Sequence, residues 1–213
     1  METRQTGAVG VTGIILAAGR GTRMGAPKQL LPLDGRPLLQ HVVDATSQAL
    51  ADVVLVLGHE AEAVVAALEL PAGVRVVVNP DHAEGQSTSL RAGLDHVPGG
   101  ARAVAVLLGD QPEIRADAIR AVVAAQAVSD APILRAAYGG RPSHPVVLTR
   151  SVWPGAEALR GDGGARPLIA AHAGAVELVE VGGEPPEDID TPHDLERLIA
   201  RTARAAQRAK ASP

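Results

Sequence analysis

The 213-residue chain contains no cysteine and no phenylalanine, and one tryptophan and one tyrosine bring its aromatic content to 1 %. The lack of cysteine excludes disulfides, zinc–thiolate sites, iron–sulfur ligation and thiol nucleophiles, and it suits a reducing compartment. The lack of aromatics excludes a base-stacking platform for single-stranded nucleic acid and leaves Val, Leu, Ile and Ala to build the core. Neither sign of charge dominates. Twenty Lys and Arg against 24 Asp and Glu give a formal net charge of −4, so the basic footprint of a nucleic-acid binder is absent. Long apolar runs are missing too, since residues 53–57 and 103–108 fall far short of the roughly 20 residues that cross a bilayer. Residues 1–9 carry Glu2 and Arg4 and do not resemble a signal peptide with its cleavable small-residue site. The expectation is a cytoplasmic protein with neither nucleic acid nor membrane as partner.

What the chain does have is 46 % hydrophobic residues, arranged as short β-branched runs that alternate with longer Ala-rich segments of helical period. This alternation predicts an α/β fold with a mostly parallel sheet and crossover helices. Strands are predicted at 13–17, 53–57, 74–78, 104–108, 133–138, 145–149 and 176–181. Continuous apolar character in the first four predicts burial on both faces. A helix is predicted to begin at Pro37, with Leu38, Val42 and Ala45 at helical spacing. Others are predicted at 60–68, 87–96, 116–127, 151–159, 165–172 and 192–206. The length favours one large domain. Residues 1–10 read as a flexible lead, 11–200 as the domain, and 201–213 as a helix end and a fraying basic tail.

The strongest motif follows the first strand directly: Leu16-Ala17-Ala18-Gly19-Arg20-Gly21-Thr22-Arg23-Met24-Gly25-Ala26-Pro27-Lys28. Glycines let a backbone curl so that its N–H groups point at an anion, and Arg20, Arg23 and Lys28 add the charge an oligophosphate would neutralise. The third glycine comes one residue too late for a dinucleotide fingerprint, and Gly25 and Lys28 are separated by two residues, unlike a P-loop. The reading is a triphosphate site. Gly109-Asp110-Gln111-Pro112 ends another apolar strand, at the sheet edge where open α/β proteins bind ligands. Asp110 there is suited to a hard cation such as magnesium, or to a plain turn. Asp188 and Asp190, two apart in an extended segment, point to one side and could add metal ligands, while Thr191, Pro192 and Asp194 read as a helix N-cap box. Gln86, Ser87 and Ser89 at a helix start suit either capping or hydrogen bonding to a base edge. The Gly-rich segments 139–145 and 161–166 offer His144 and Arg166 to an anionic substrate.

Taken in order, Leu16 to Lys28 with the following Leu30-Leu31-Pro32-Leu33, then Gly109 to Pro112, residues 161–166 and residues 188–195 resemble the MobA-like nucleotidyltransferase family. The likeness is to its molybdenum cofactor cytidylyltransferase branch and extends over about residues 13–198. The resemblance implies a single Rossmann-like domain of the nucleotide-diphospho-sugar transferase type, with a late antiparallel strand. It implies magnesium-dependent transfer of CMP from CTP to the phosphate of molybdopterin, with release of pyrophosphate. Carried over by position, Leu16, Ala17, Ala18, Gly19, Gln86, Ser87 and Ser89 would face base and ribose, and Arg20, Gly21, Arg23 and Lys28 the phosphates. Asp110, Asp188 and Asp190 would hold the metal, His144 and Arg166 would face the acceptor, and Arg23, Lys28 and Asp110 would carry catalysis. Ala18 and Gln111 match the cytidylyl branch, whereas Ser143 stands where that branch commonly has glycine. A molybdoenzyme or its maturation chaperone would be the protein partner. The alternatives are a guanylyltransferase of the same family, an NAD(P)H-dependent oxidoreductase, and a non-catalytic nucleotide-binding regulator.

Overall fold

The computed structural model describes residues 10–19 and 27–211. The first apolar run forms β1 (Val11–Leu16). After it come a small hairpin of β2 (Pro32–Leu33) and β3 (Arg36–Pro37), α1 (Leu38–Ala49), β4 (Val53–Leu57), α2 (Ala61–Ala67) and β5 (Val74–Val78). Next are α3 (Gln86–Asp95), β6 (Ala103–Leu108), α4 (Ala116–Gln126), and the pair β7 (Ile133–Tyr138) and β8 (Arg141–Thr149). The chain continues through α5 (Arg166–Ala171), β9 (Val176–Glu180) and α6 (Pro192–Ala211). Seven strands make one sheet in the order β5-β4-β1-β6-β8-β7-β9. β8 runs antiparallel to both of its neighbours, and every other pairing is parallel. The mostly parallel α/β architecture and the late antiparallel strand are therefore as expected.

Alternation along the buried strands divides the core into two layers. Val53, Leu55 and Leu57 of β4 pack with Leu39, Val42 and Val43 of α1 and Ile119, Val122 and Val123 of α4. Val54 and Val56 turn to the other face, with Leu90 of α3 and Leu168 of α5. A third, smaller cluster joins Leu33, Leu38, Ile189 and Leu198, fixing the approach to α6 against the hairpin. Tyr138 is the one aromatic among the largest fully buried side chains, and the rest are Leu and Ile.

Four expectations need correction. Residues 74–78 form the outer strand of the sheet, with Val78 57 % exposed, because among the described residues no strand pairs beyond them. The helix expected over 151–159 is a run of 3-10 turns, Arg150–Ala158, since Pro154 inside it cannot donate a backbone hydrogen bond. Much of the expected loop 139–145 is strand: only Gly139 and Gly140, both at positive φ, make the turn before β8. The last helix continues to Ala211 rather than ending near residue 206.

Candidate functional site

The chain adds β4 and β5 on one side of β1, then returns to place β6 on the other, so the carboxyl ends of β1 and β6 flank a reversal of strand order. Leu16 and Leu108 are register partners, and Gly109 donates its N–H to the Leu16 carbonyl at 2.9 Å. A Cβ on Gly109 would come within 2.6 Å of the Ala17 Cβ, so glycine lets the Asp110 turn close against the first loop. Above this point lies a cleft of about 450 Å³, whose walls include Leu16, Ala17, Ala18, Gly19, Lys28, Gln86, Ser89 and Asp110. A second cleft of about 250 Å³ adjoins it, sharing Leu16 and Gln86 and reaching Gln111, Arg135, His144, Arg166 and Asp188.

Lys28 stands where the two arms of the site meet. Its Nζ donates to Asp110 Oδ2 at 2.5 Å and to Asp190 Oδ1 at 3.1 Å. Burial pulls this ammonium down, but the two carboxylates outweigh it and hold Lys28 above the ordinary lysine value. Burial pushes the Asp110 carboxyl up, and the nearby Asp188 and Asp190 charges add to the rise, which Lys28 only partly offsets. The Asp188–Asp190 segment reaches the site because Ile189, fully buried in the third cluster, donates its N–H to the Asp110 carbonyl at 3.0 Å. With Ile189 turned inward, alternation turns both aspartates the other way. Asp188 accepts a hydrogen bond from Gln111 Nε2 at 2.7 Å. The cap box forms as read: Thr191 N and Oγ1 each donate to Asp194 Oδ2 at 2.8 Å, just before α6.

Among the described residues, no three His, Cys, Asp or Glu side chains gather closely enough to cage an ion unaided. The donor set still fits a magnesium-type ion, which takes one or two carboxylates together with phosphate oxygens of a substrate. Asp110 Oδ1 is buried without a hydrogen-bond partner, an acceptor that such an ion would satisfy.

The helix-start residues divide. Gln86 borders both clefts and Ser89 borders the larger one. Ser87, expected to face the nucleotide, lines neither; it is fully buried and its hydroxyl donates to the Arg160 carbonyl at 3.2 Å. None of these side chains caps α3, whose N-cap is Gly85 at φ +111°. A Cβ on Gly85 would come within 2.3 Å of the Gly161 carbonyl carbon, so glycine lets the 161–164 turn pack over the helix start beside Gln86. His144 and Arg166 both line the smaller cleft. Burial, with Arg135 and Arg166 nearby, lowers the His144 pKa to about 4, so its imidazole is neutral at pH 7. Arg20, Gly21 and Arg23 lie outside the described residues.

Two further residues belong to the site. Gln29, 2 % exposed, donates through Nε2 to the Ala17 carbonyl at 2.7 Å and the Gly19 carbonyl at 2.9 Å, splinting the loop after β1. Arg135 projects into the smaller cleft from the middle of β7. The signal for Arg135 was a charged residue interrupting the apolar run 133–138, whereas Gln29, next to Lys28, carried no signal of its own.

Residues 13–176 match the MobA-like NTP transferase domain. The chain is 36 % identical over 205 residues to the nicotine blue oxidoreductase of Paenarthrobacter nicotinovorans, covering 89 % of this chain and 96 % of that protein. It is 30 % identical over 197 residues to the purine catabolism protein PucB of Bacillus subtilis strain 168, covering 87 % and 94 %. Among solved structures, Rv0371c from Mycobacterium tuberculosis H37Rv superposes with a TM-score of 0.81 at 34 % identity, covering 91 % of this chain and 99 % of that one. The manganese complex of Rv0371c gives 0.76 at 33 % identity, covering 89 % and 98 %. A nucleotidyl transferase from Methanothermobacter thermautotroptrophicus gives 0.75 at 26 % identity, covering 92 % and 98 %. The matched span contains Lys28, Asp110, both clefts' central walls and the antiparallel strand, and the relatives align nearly end to end: this chain belongs to the MobA-like NTP transferase family and is a nucleotidyltransferase.

Proposed function

We propose that the protein transfers CMP from CTP to the phosphate of molybdopterin, with magnesium as the divalent ion and pyrophosphate as leaving group. The observation that carries this reading is the meeting of two clefts at Leu16 and Gln86, beside a lysine that joins Asp110 and Asp190. The larger cleft has room for a nucleoside triphosphate, and the smaller one offers Arg135, Arg166 and a neutral His144 to an anionic second substrate.

In this reaction an oxygen of the acceptor phosphate forms a bond to the α-phosphorus of CTP, and the bond from that phosphorus to the oxygen bridging to the β-phosphate breaks. An ionised phosphate is already a nucleophile, so no side chain has to remove a proton. The work of the protein is positioning and charge neutralisation. Backbone around Ala17, Ala18 and Gly19, held by Gln29, orients the nucleoside end together with Gln86 and Ser89. Lys28, with Arg20 and Arg23 of the glycine-rich loop, neutralises the triphosphate. Asp110 and Asp190, with Asp188 beside them, would hold magnesium, which supplies charge stabilisation to the departing pyrophosphate. His144 and Arg166 orient the acceptor.

Support for a divalent ion comes from the manganese complex of the related Rv0371c. The oxidoreductase alternative is favoured by one observation, the likeness to the nicotine blue oxidoreductase of Paenarthrobacter nicotinovorans. Incubation of the protein with magnesium, molybdopterin and each nucleoside triphosphate in turn, scored by pyrophosphate release and by mass of the product, tests the reading. CMP-bearing product is expected. Absence of any nucleotidyl product, with tight binding of NADPH, would replace it with the oxidoreductase reading.

A further inference from the structure

The smaller cleft has an extension. Arg135, Pro142, Arg166 and Ile169 also wall an outer hollow of about 440 Å³ between β9 and α5, where Ala170, Ala173, Val176 and Leu178 complete the lining. The two spaces therefore adjoin through a pair of guanidinium groups.

Arg135 sits where the fold calls for an apolar side chain. It lies two residues after Ile133, which packs in the layer beneath α3 and α5, and its register partners are Val146 on β8 and Leu178 on β9. Its Nε is buried with no hydrogen-bond partner. Among the described residues neither Arg135 nor Arg166 has a carboxylate ion-pair partner, and burial, followed by the charge of Arg166, lowers Arg135 below the ordinary arginine value. A half-buried cation facing a second cation is unfavourable unless an anion completes the arrangement. Guanidinium forks are well shaped to take phosphate or carboxylate oxygens. Beyond that point the walls change character, from charge to the aliphatic surfaces of Ile169, Val176 and Leu178.

We infer that Arg135 and Arg166 together clasp the reacting anion of the second substrate, and that the outer hollow receives the rest of that molecule. The acceptor is then a phosphate-bearing compound with a sizeable ring-shaped or apolar body, held anion inward toward Asp110 and body outward over Leu178. This rests on the reading that the smaller cleft is the acceptor site. It adds Arg135 as a specificity-determining residue and fixes the direction in which the acceptor lies.

Phenyl phosphate and inorganic phosphate are suitable probes, followed by methyl NMR of Ile169, Val176 and Leu178 in the full chain. Phenyl phosphate is expected to shift these methyl resonances, and inorganic phosphate to leave them nearly unmoved. Arg135→Gln should weaken phenyl phosphate binding at these methyls at least tenfold. Leu178→Ser, at a position already 47 % exposed and so safe for folding, should weaken phenyl phosphate several-fold while leaving inorganic phosphate unchanged. Unshifted methyls, or equal binding to wild type and both variants, would overturn the inference. Failure of cytidylyl transfer to molybdopterin would instead overturn the proposed function and leave these probe results standing.

Discussion

Lys28 and Asp110 form an ion pair of 2.5 Å at the carboxyl end of the sheet, and Asp190 shares the same ammonium at 3.1 Å. The pair sits at the rim of the larger cleft, outside both apolar layers, so neither layer depends on it. Asp110→Ala is expected to abolish pyrophosphate release while the melting temperature stays within a few degrees, because Lys28 keeps Asp190 and is not left stranded. Lys28→Met should chiefly weaken triphosphate binding, by the few kcal/mol of a charge-assisted hydrogen bond, on the order of tenfold or more in Kd. Calorimetric nucleotide titration beside a pyrophosphate assay checks both, and an active Asp110→Ala enzyme would remove this carboxylate from the mechanism.

Gln29 acts at one remove, through the loop it splints. Gln29→Leu leaves the Ala17 and Gly19 carbonyls without their side-chain donor. A buried carbonyl left unpaired costs about 1–3 kcal/mol, so the variant should melt several degrees lower. It should also show a raised KM for the nucleotide, with a smaller change for the acceptor. Parallel increases in both KM values would mean a general loss of structure rather than a loosened nucleotide loop.

Much of this site could be read from the sequence because its parts are local. Strand ends followed by Gly109-Asp110 or by the Gly19 loop carry their own punctuation, and the Thr191–Asp194 box announces the start of α6. Other parts were not legible because they depend on distant packing. Ser87 reads like a ligand-facing hydroxyl, but the helix turns it toward the Arg160 carbonyl. Residues 74–78 look like a central strand until the strand order leaves them at the edge. Arg135 is plainly odd within Ile-Leu-Arg-Ala-Ala-Tyr, yet only the fold brings it beside Arg166 and His144.

His144 gives a pH test. Its pKa falls from 6.5 in the unfolded chain to about 4 in the folded one, mainly through burial. Between those values the unfolded state holds a proton that the folded state lacks, so stability is fully present above pH 6.5 and is lost as pH falls toward 4. The slope from this group is at most about 1.4 kcal/mol per pH unit. Urea unfolding from pH 4.5 to 7.5 should show a flatter profile for His144→Gln than for wild type. Identical profiles would mean that the folded imidazole titrates normally.

His144 and Arg166 should matter more to the second substrate than to the nucleotide, since both line the smaller cleft and neither lines the larger. Arg166→Ala is expected to raise the acceptor KM about tenfold or more, in line with a lost charged hydrogen bond. Its nucleotide KM should stay within about twofold. Steady-state kinetics with each substrate varied at saturating levels of the other decides this, and a defect confined to the nucleotide would reverse the assignment of the two clefts.

Ala18 bears on the choice of base. It is 5 % exposed and lies in the wall of the larger cleft, on the loop that Gln29 fixes. A methyl group on that wall takes space from a ligand lying against backbone, which narrows the pocket toward a pyrimidine, whereas glycine would admit a purine more closely. One methyl or methylene in a pocket is worth about 1–3 kcal/mol, so Ala18→Gly should relax a preference for CTP over GTP by about 10-fold to 200-fold without requiring its inversion. Competition between the two triphosphates at equal concentration, with magnesium and molybdopterin, measures the ratio directly. Predominant guanylyl product from the wild-type chain would assign the pocket to a purine and make Ala18 irrelevant to the choice.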